Sequence, residues 1–79
     1  MASWFDFLRI EADLAMTFIG SARILSSPAD AVGSLENARK ALAEIQRGLL
    51  NPAGHGLSED EVLVLMRRCV EIESELATF

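Results

Sequence analysis

Apolar residues recur every three or four positions along most of the chain, a spacing that is typical of amphipathic helices. Two breaks divide the pattern: Ser26-Ser27-Pro28, and a loop rich in proline and glycine at 51–56. The pattern predicts helices over about 3–25, 28–50 and 59–78. Amphipathic helices joined by short connections favour an all-α fold. We expect an antiparallel up-down-up three-helix bundle that forms a single domain over residues 1–79, and that dimerisation would complete.

Serines precede all three predicted helices. Ser58 can accept a hydrogen bond from the Glu61 N–H while the Glu61 carboxylate accepts one from the Ser58 N–H, which is a capping box. Ser3 and Ser27 are the expected N-caps of helices one and two. Three helix starts are therefore marked in the sequence before any packing is considered.

The apolar faces of the first two helices differ in width. Helix two has a narrow stripe, formed by Ala31, Leu35, Ala38, Leu42, Ile45 and Leu49. Helix one has a broad face, formed by Trp4, Phe7, Leu8, Leu14, Ala15, Phe18, Ala22 and Leu25. A broad face has to be covered on more than one flank, so we expect helices one and three to contact each other as well as helix two.

Helix three carries two apolar stripes. The first is spaced in heptads and consists of Val62, Leu65, Cys69, Ile72, Leu76 and Phe79. The second stripe, which runs beside it, consists of Leu63, Met66, Val70 and Ala77. Two interpretations of the second stripe stay open: it completes the contact with helix one, or it forms a symmetric dimer interface with a second copy. The charged residues around it are expected to be solvated, with Arg67 and Glu71 as an exposed ion pair.

Aromatic side chains are concentrated at the N-terminus, where Trp4 and Phe5 stand together. They either close one end of the bundle or provide an exposed aromatic anchor for a partner, because such residues are over-represented at the centres of interfaces. With the second stripe, these two residues make up the candidate interface.

Composition narrows the classes of function. The net charge of −5 disfavours nucleic acid and anionic membranes as partners, and no apolar run approaches the about 20 residues of a membrane span. The N-terminal residues lack a basic secretory signal, so we expect a cytoplasmic protein. Since 79 residues bury a small core and one cysteine cannot form an intramolecular disulfide, self-association is the expected further source of stability.

Three residues are candidates for a chemical role. Glu11 falls within the apolar face of helix one, where it is either a carboxylate at a groove edge, paired with Arg39 or Arg47, or a buried polar contact. His55 lies between two glycines and is expected to be an inert loop residue. Cys69 falls on the first stripe of helix three and is expected to pack in the core.

Helix one followed by Asn37-Ala38-Arg39-Lys40-Ala41-Leu42 is loosely similar to a tetratricopeptide-type helical hairpin, in which alanines let paired helices approach. The similarity covers about half of the chain, and the tryptophan–glycine–tyrosine spacing of that repeat is missing. The resemblance implies a hairpin used to bind protein.

The leading hypothesis is a small non-catalytic interaction module that binds itself or another protein and needs no cofactor. Two alternatives remain. One is a small helical enzyme in which Glu11, with Arg39 or Arg47, holds an anionic substrate in a groove. The other is a bundle that binds a ligand or lipid between its apolar faces.

Overall fold

The computed structural model describes residues 3–79, which form three α-helices packed against one another: α1 (Trp4–Ile24), α2 (Pro28–Leu50) and α3 (Glu59–Leu76). No described residue is in a β-strand, so the all-α class is confirmed. The helix bounds expected from the sequence differ from these by at most two residues at any end.

Capping boxes start α1 and α3. In α1 the Asp6 N–H donates to Ser3 Oγ at 3.1 Å, and the Ser3 N–H donates to the Asp6 carboxylate at 3.4 Å. In α3 the Glu61 N–H donates to Ser58 Oγ at 3.2 Å, and the Ser58 N–H donates to Glu61 at 2.9 Å. These bonds satisfy N–H groups that a helix leaves without partners, and they fix where each helix begins.

Ser27 is the N-cap of α2, as predicted, but its side chain makes no capping hydrogen bond. Ser27 has a ψ of 123°, whereas the two capping serines have ψ of 168° and 165°. Pro28 follows as the first helical residue, and its ring fixes the φ that a helix requires. The helix continues through Gly33, and the hydroxyl of the next residue, Ser34, donates to the Phe18 carbonyl at 2.8 Å.

Small residues line the contact between α1 and α2, which is the most extensive contact between helices. Buried alanines face each other from both helices, and Gly48 is buried beneath Leu8. Because these side chains add little thickness, the two backbones approach closely. The large side chains that are fully buried around this contact are Leu8, Ile19, Ile45, Leu65 and Ile72.

The buried face of α1 differs from the predicted face. The structure buries a regular stripe that consists of Leu8, Ala12, Ala15, Ile19 and Ala22. Phe7 and Leu14, which the sequence placed in the core, are each 41% exposed. The alanines allow the closest packing, so they occupy the centre of the contact and the larger residues move to its flank.

α3 contacts both other helices, as expected from the width of its apolar side. Ion pairs and a hydrogen bond connect its two edges to the other helices. Arg68 pairs with Asp13 of α1 at 2.9 Å, and Glu73 accepts a hydrogen bond from Gln46 of α2 at 3.1 Å. At the far end of α1, Arg23 pairs with Glu75 at 2.6 Å. These bonds show which sides of α3 face α1 and α2.

Replacing Gly48 by alanine tests the close approach of α1 and α2. An added Cβ would lie 2.5 Å from Leu8 Cδ1, and Leu8 is only 1% exposed, so it has no free space to move into. We expect Gly48→Ala to lower the free energy of unfolding by about 1–3 kcal/mol, the usual cost of overpacking, despite the higher helix propensity of alanine. Urea denaturation followed by circular dichroism measures the change.

Gly33→Ala is the matched control in the same helix. An added Cβ at Gly33 meets nothing within 4 Å. We expect this variant to raise the free energy of unfolding by about 0.5–1 kcal/mol through helix propensity alone. Equal stabilisation by the two variants would mean that Leu8 does not pack against the backbone of α2.

Candidate interaction surface

The second stripe of α3 lies outside the bundle core. On the core side of the helix, Leu65, Cys69 and Ile72 are buried. The side chains of the second stripe are instead open to solvent, with Leu63 at 53%, Met66 at 51% and Val70 at 64% exposure, and Ala77 exposed as well. Of the two interpretations of this stripe, the contact with helix one is therefore wrong, and nothing in the described chain covers it.

An apolar pocket of about 600 Å³ adjoins the second stripe. The loop between α2 and α3 shapes it, since the Leu57 N–H donates to the Pro52 carbonyl at 2.9 Å and Gly56 takes a positive φ of 66°. The pocket is lined by Pro52, Ala53, Leu57, Glu59, Val62 and Leu63. Because Leu63 belongs to both, pocket and stripe form one continuous apolar surface.

The apolar pattern of the chain does not predict this pocket. The proline and glycine content of 51–56 predicts only a break between helices, although Leu57 and Val62 stand at hydrophobic-staple positions on either side of the α3 cap. That pair was the available sign that the loop folds back onto the start of the helix. The turn that brings Pro52 beside it depends on backbone hydrogen bonds, which no apolar pattern encodes.

The two aromatic residues of the candidate interface have different surroundings. Trp4 is 49% exposed and meets the rings of Phe7 and His55 edge-on, with centroids at 5.5 and 4.5 Å. Phe5 is partly buried against the core, and the Arg9 guanidinium lies 5.8 Å from its ring centroid. Trp4 is thus accessible to a partner, whereas Phe5 helps to close the end of the bundle.

His55 has a local structural role. Its Nδ1 lies 2.8 Å from the Asn51 carbonyl oxygen, and its ring packs against Trp4. Through these contacts the loop is held against the start of α1. The hydrogen-bonding partner of the imidazole is a backbone carbonyl and not a carboxylate, so the geometry contains no base oriented by an acid.

Glu11 lies at the edge of an open groove between α1 and α2, with a volume of about 480 Å³. It is partly exposed, and no charged residue is buried among the described residues, so of its two interpretations the carboxylate at a groove edge fits the structure and the buried polar contact is wrong. Arg47 lines the same groove and pairs with Glu44 of its own helix. Arg39 is exposed and does not line the groove, so the two arginines considered as partners of Glu11 are separated.

Cys69 lies in the core of the bundle as a free thiol that is 6% exposed. Burial raises the pKa of this thiol above its ordinary value, and the negative charge of Glu73 one turn later raises it further. Both effects disfavour the thiolate, which is the reactive form of cysteine. The side chain therefore fills space in the core as predicted.

No protein-family model, curated protein or solved structure matches the chain. None of the helices in the described range has both the length and the apolar character needed to cross a bilayer. Within residues 3–79 no three His, Cys, Asp or Glu side chains are grouped so that they could hold a metal ion. The continuous apolar surface of α3 and its loop pocket is the feature from which we infer a function.

The raised pKa of Cys69 predicts a dependence of stability on pH. A folded-state pKa above the unfolded value, which is about 8.5 for a free cysteine, means that the folded state retains the thiol proton more strongly. We expect this contribution to be present in full below about pH 8.5 and to be lost as the pH rises through the folded-state pKa. Urea denaturation at a series of pH values measures the loss.

Cys69→Ala is the control, because it removes the titrating group and should flatten the pH dependence above about pH 8.5. In the native protein we also expect the thiol to react with an aromatic disulfide reagent at least about tenfold more slowly than in denaturant. A native thiol that reacts as fast as the unfolded one would contradict the burial of this side chain.

Proposed function

We propose that this chain is a small, non-catalytic, cytoplasmic protein–protein interaction module that associates with itself through the second stripe of α3. The observation that carries the proposal is the exposure of Leu63, Met66 and Val70, each more than half open on one helix face. Single exposed apolar residues are ordinary, but a contiguous patch is typical of an interaction site.

The energetics support burial of this patch. Covering the exposed half of each large side chain contributes about 1 kcal/mol per residue to the free energy of association. The accessible surface of the chain is 5075 Å², compared with about 4,700 Å² expected for a folded monomer of this mass. A bundle of this size has little stability in reserve, so an association that removes apolar surface from water stabilises the fold as well.

The contacts between the helices indicate the direction in which each helix runs relative to the others. Gly48 lies against Leu8 and Ser34 bonds to Phe18, so the order of contacts reverses between α1 and α2. The pairs Asp13–Arg68 and Arg23–Glu75 keep the same order between α1 and α3. We infer the up-down-up arrangement from these contacts, with the loop pocket and Trp4 at one end.

Charge reversal of the stripe tests the proposal. In Leu63→Glu and Val70→Glu, a carboxylate replaces a side chain that is solvated in the single chain and would be buried in a dimer. We expect the wild type to sediment as a dimer that dissociates on dilution, and both variants to sediment as monomers with unchanged helix content. A buried, unpaired carboxylate has a large desolvation cost, whereas an exposed one has little. Sedimentation equilibrium over a wide concentration range measures the mass.

Val32→Glu is the matched control for Val70→Glu. Val32 lies on α2 and is 54% exposed, so the variant adds the same charge at a similar exposure but away from the second stripe. We expect it to associate as the wild type does. If the wild type is monomeric throughout, or if all three variants behave alike, the stripe is not a self-association surface.

A second candidate function rests on the groove between α1 and α2. Lys40 and Arg47 lie at its rim and Leu14 and Phe18 line it, which suits an amphiphilic anion, and Glu11 shares the same groove. The interaction proposal predicts no saturable change in the amide NMR signals of these residues on titration with octanoate. A saturable change that Arg47→Gln weakens would favour ligand binding.

A further inference from the structure

We propose that the occupant of the second stripe is the α3 helix of a second copy, packed antiparallel about a two-fold axis at Val70. This inference rests on the proposed self-association and specifies its geometry. Leu63, Val70 and Ala77 follow one another at intervals of seven residues, so they lie almost in line along the helix with Val70 in the middle. Both copies present the same stripe, as a symmetric dimer requires.

The sizes of the side chains suit this axis. A two-fold axis at Val70 places Val70 against Val70 of the second copy, and it places Leu63 opposite Ala77 of the second copy. Each end of the contact then joins a large side chain to a small one, so the helices can approach evenly along the stripe. The distance from Leu63 to Ala77 is about 21 Å, which corresponds to a small interface and a reversible dimer.

The charges on one flank of the stripe complement each other in the same arrangement. By helix geometry, Arg67 and Glu71 lie on the flank between the second stripe and the edge that faces α1. Both side chains are exposed, and no described residue lies within ion-pairing distance of either; the expected Arg67–Glu71 pair within one helix is absent. They are therefore free to pair with charges on another chain.

An antiparallel two-fold axis brings the same flank of both helices together. Arg67 of one copy then lies within about 3 Å, along the helix axis, of the level of Glu71 in the other copy. The symmetry repeats this ion pair on the other side of the axis. Exposed pairs of this kind add little affinity, but they select orientation and register.

A parallel arrangement is disfavoured by charge. α3 begins with the acids Glu59, Asp60 and Glu61, and no basic residue lies in its last turn. Parallel copies would bring the two acidic first turns side by side. Antiparallel copies separate them by about 30 Å and also oppose the two helix dipoles.

Disulfide trapping in a Cys69→Ala background tests the axis. We expect Val70→Cys to cross-link to itself in high yield, because the axis places the two cysteines in contact. Leu63→Cys alone should remain uncross-linked, since its two copies lie about 21 Å apart. A mixture of Leu63→Cys and Ala77→Cys chains should form the mixed dimer. Val32→Cys measures the background of cross-links formed by random collision. The wild type and each variant are also sedimented under reducing conditions, which gives their oligomeric state without a disulfide.

Charge exchange provides an independent readout. We expect Arg67→Glu to weaken the dimer by about 2–10-fold, because it places acids opposite Glu71 of the second copy at two sites. The double variant Arg67→Glu/Glu71→Arg should restore the dissociation constant of the wild type. If the single and the double variant weaken the dimer equally, these ion pairs are not part of the interface.

The outcomes separate the two proposals. A wild type that sediments as a monomer at every concentration overturns the self-association and this geometry with it. A dimer in which Leu63→Cys cross-links to itself overturns the antiparallel arrangement but leaves self-association standing. A dimer in which Val70→Cys remains uncross-linked, although it sediments as a dimer, overturns the position of the axis.

Discussion

The contact between α1 and α2 is the constraint on which the rest of the molecule depends. It is made of alanines and of Gly48, whose missing side chain leaves room for Leu8. Residues of this size contribute little apolar area, so the contact is close but does not by itself bury the large side chains of either helix. α3 supplies the remaining cover, and with it the isoleucines and leucines of the core become fully buried.

This division of the core explains why apolar surface is left over on α3. The helix needs only one side to cover the α1–α2 pair, and that side is filled by Leu65, Cys69 and Ile72. Its polar edges are fixed by Arg68 towards α1 and by Glu73 towards α2. By helix geometry the second stripe lies beyond the α2 edge, and no other helix within residues 3–79 covers it. Leu63, Met66 and Val70 are therefore left more than half exposed on a side of α3 that covers neither helix.

The three residues considered for a chemical role occupy structural positions in the bundle. His55 ties the loop to α1, Cys69 fills the core in its protonated form, and Glu11 stands at the edge of an open groove. Their positions favour structural roles, since none of them combines an enclosed site with a charged partner. The surface that remains available is apolar, and this is the physical basis for proposing an interaction module and not an enzyme.

The sequence by itself determined the helices and where α1 and α3 begin. Capping boxes and apolar periodicity act over three or four residues, so Ser3, Ser58 and the narrow stripe of α2 could be identified without knowledge of packing. The two-stripe character of α3 was also visible, because it depends only on helix geometry. The residues of the second stripe could therefore be named from the sequence, but their exposure could not be predicted.

Only the tertiary structure decided which apolar faces are covered. Hydrophobicity favours large residues for the core, yet the closest helix contact selects small ones, so Ala12 and Ala15 are buried while Phe7 and Leu14 stay 41% exposed. Tertiary packing also decided the partial burial of Phe5, the pocket beside Leu63 and the groove at Glu11. Each of these depends on how closely two helices approach and at which flank the third one docks. Those distances arise from the sum of many weak contacts between residues far apart in the chain.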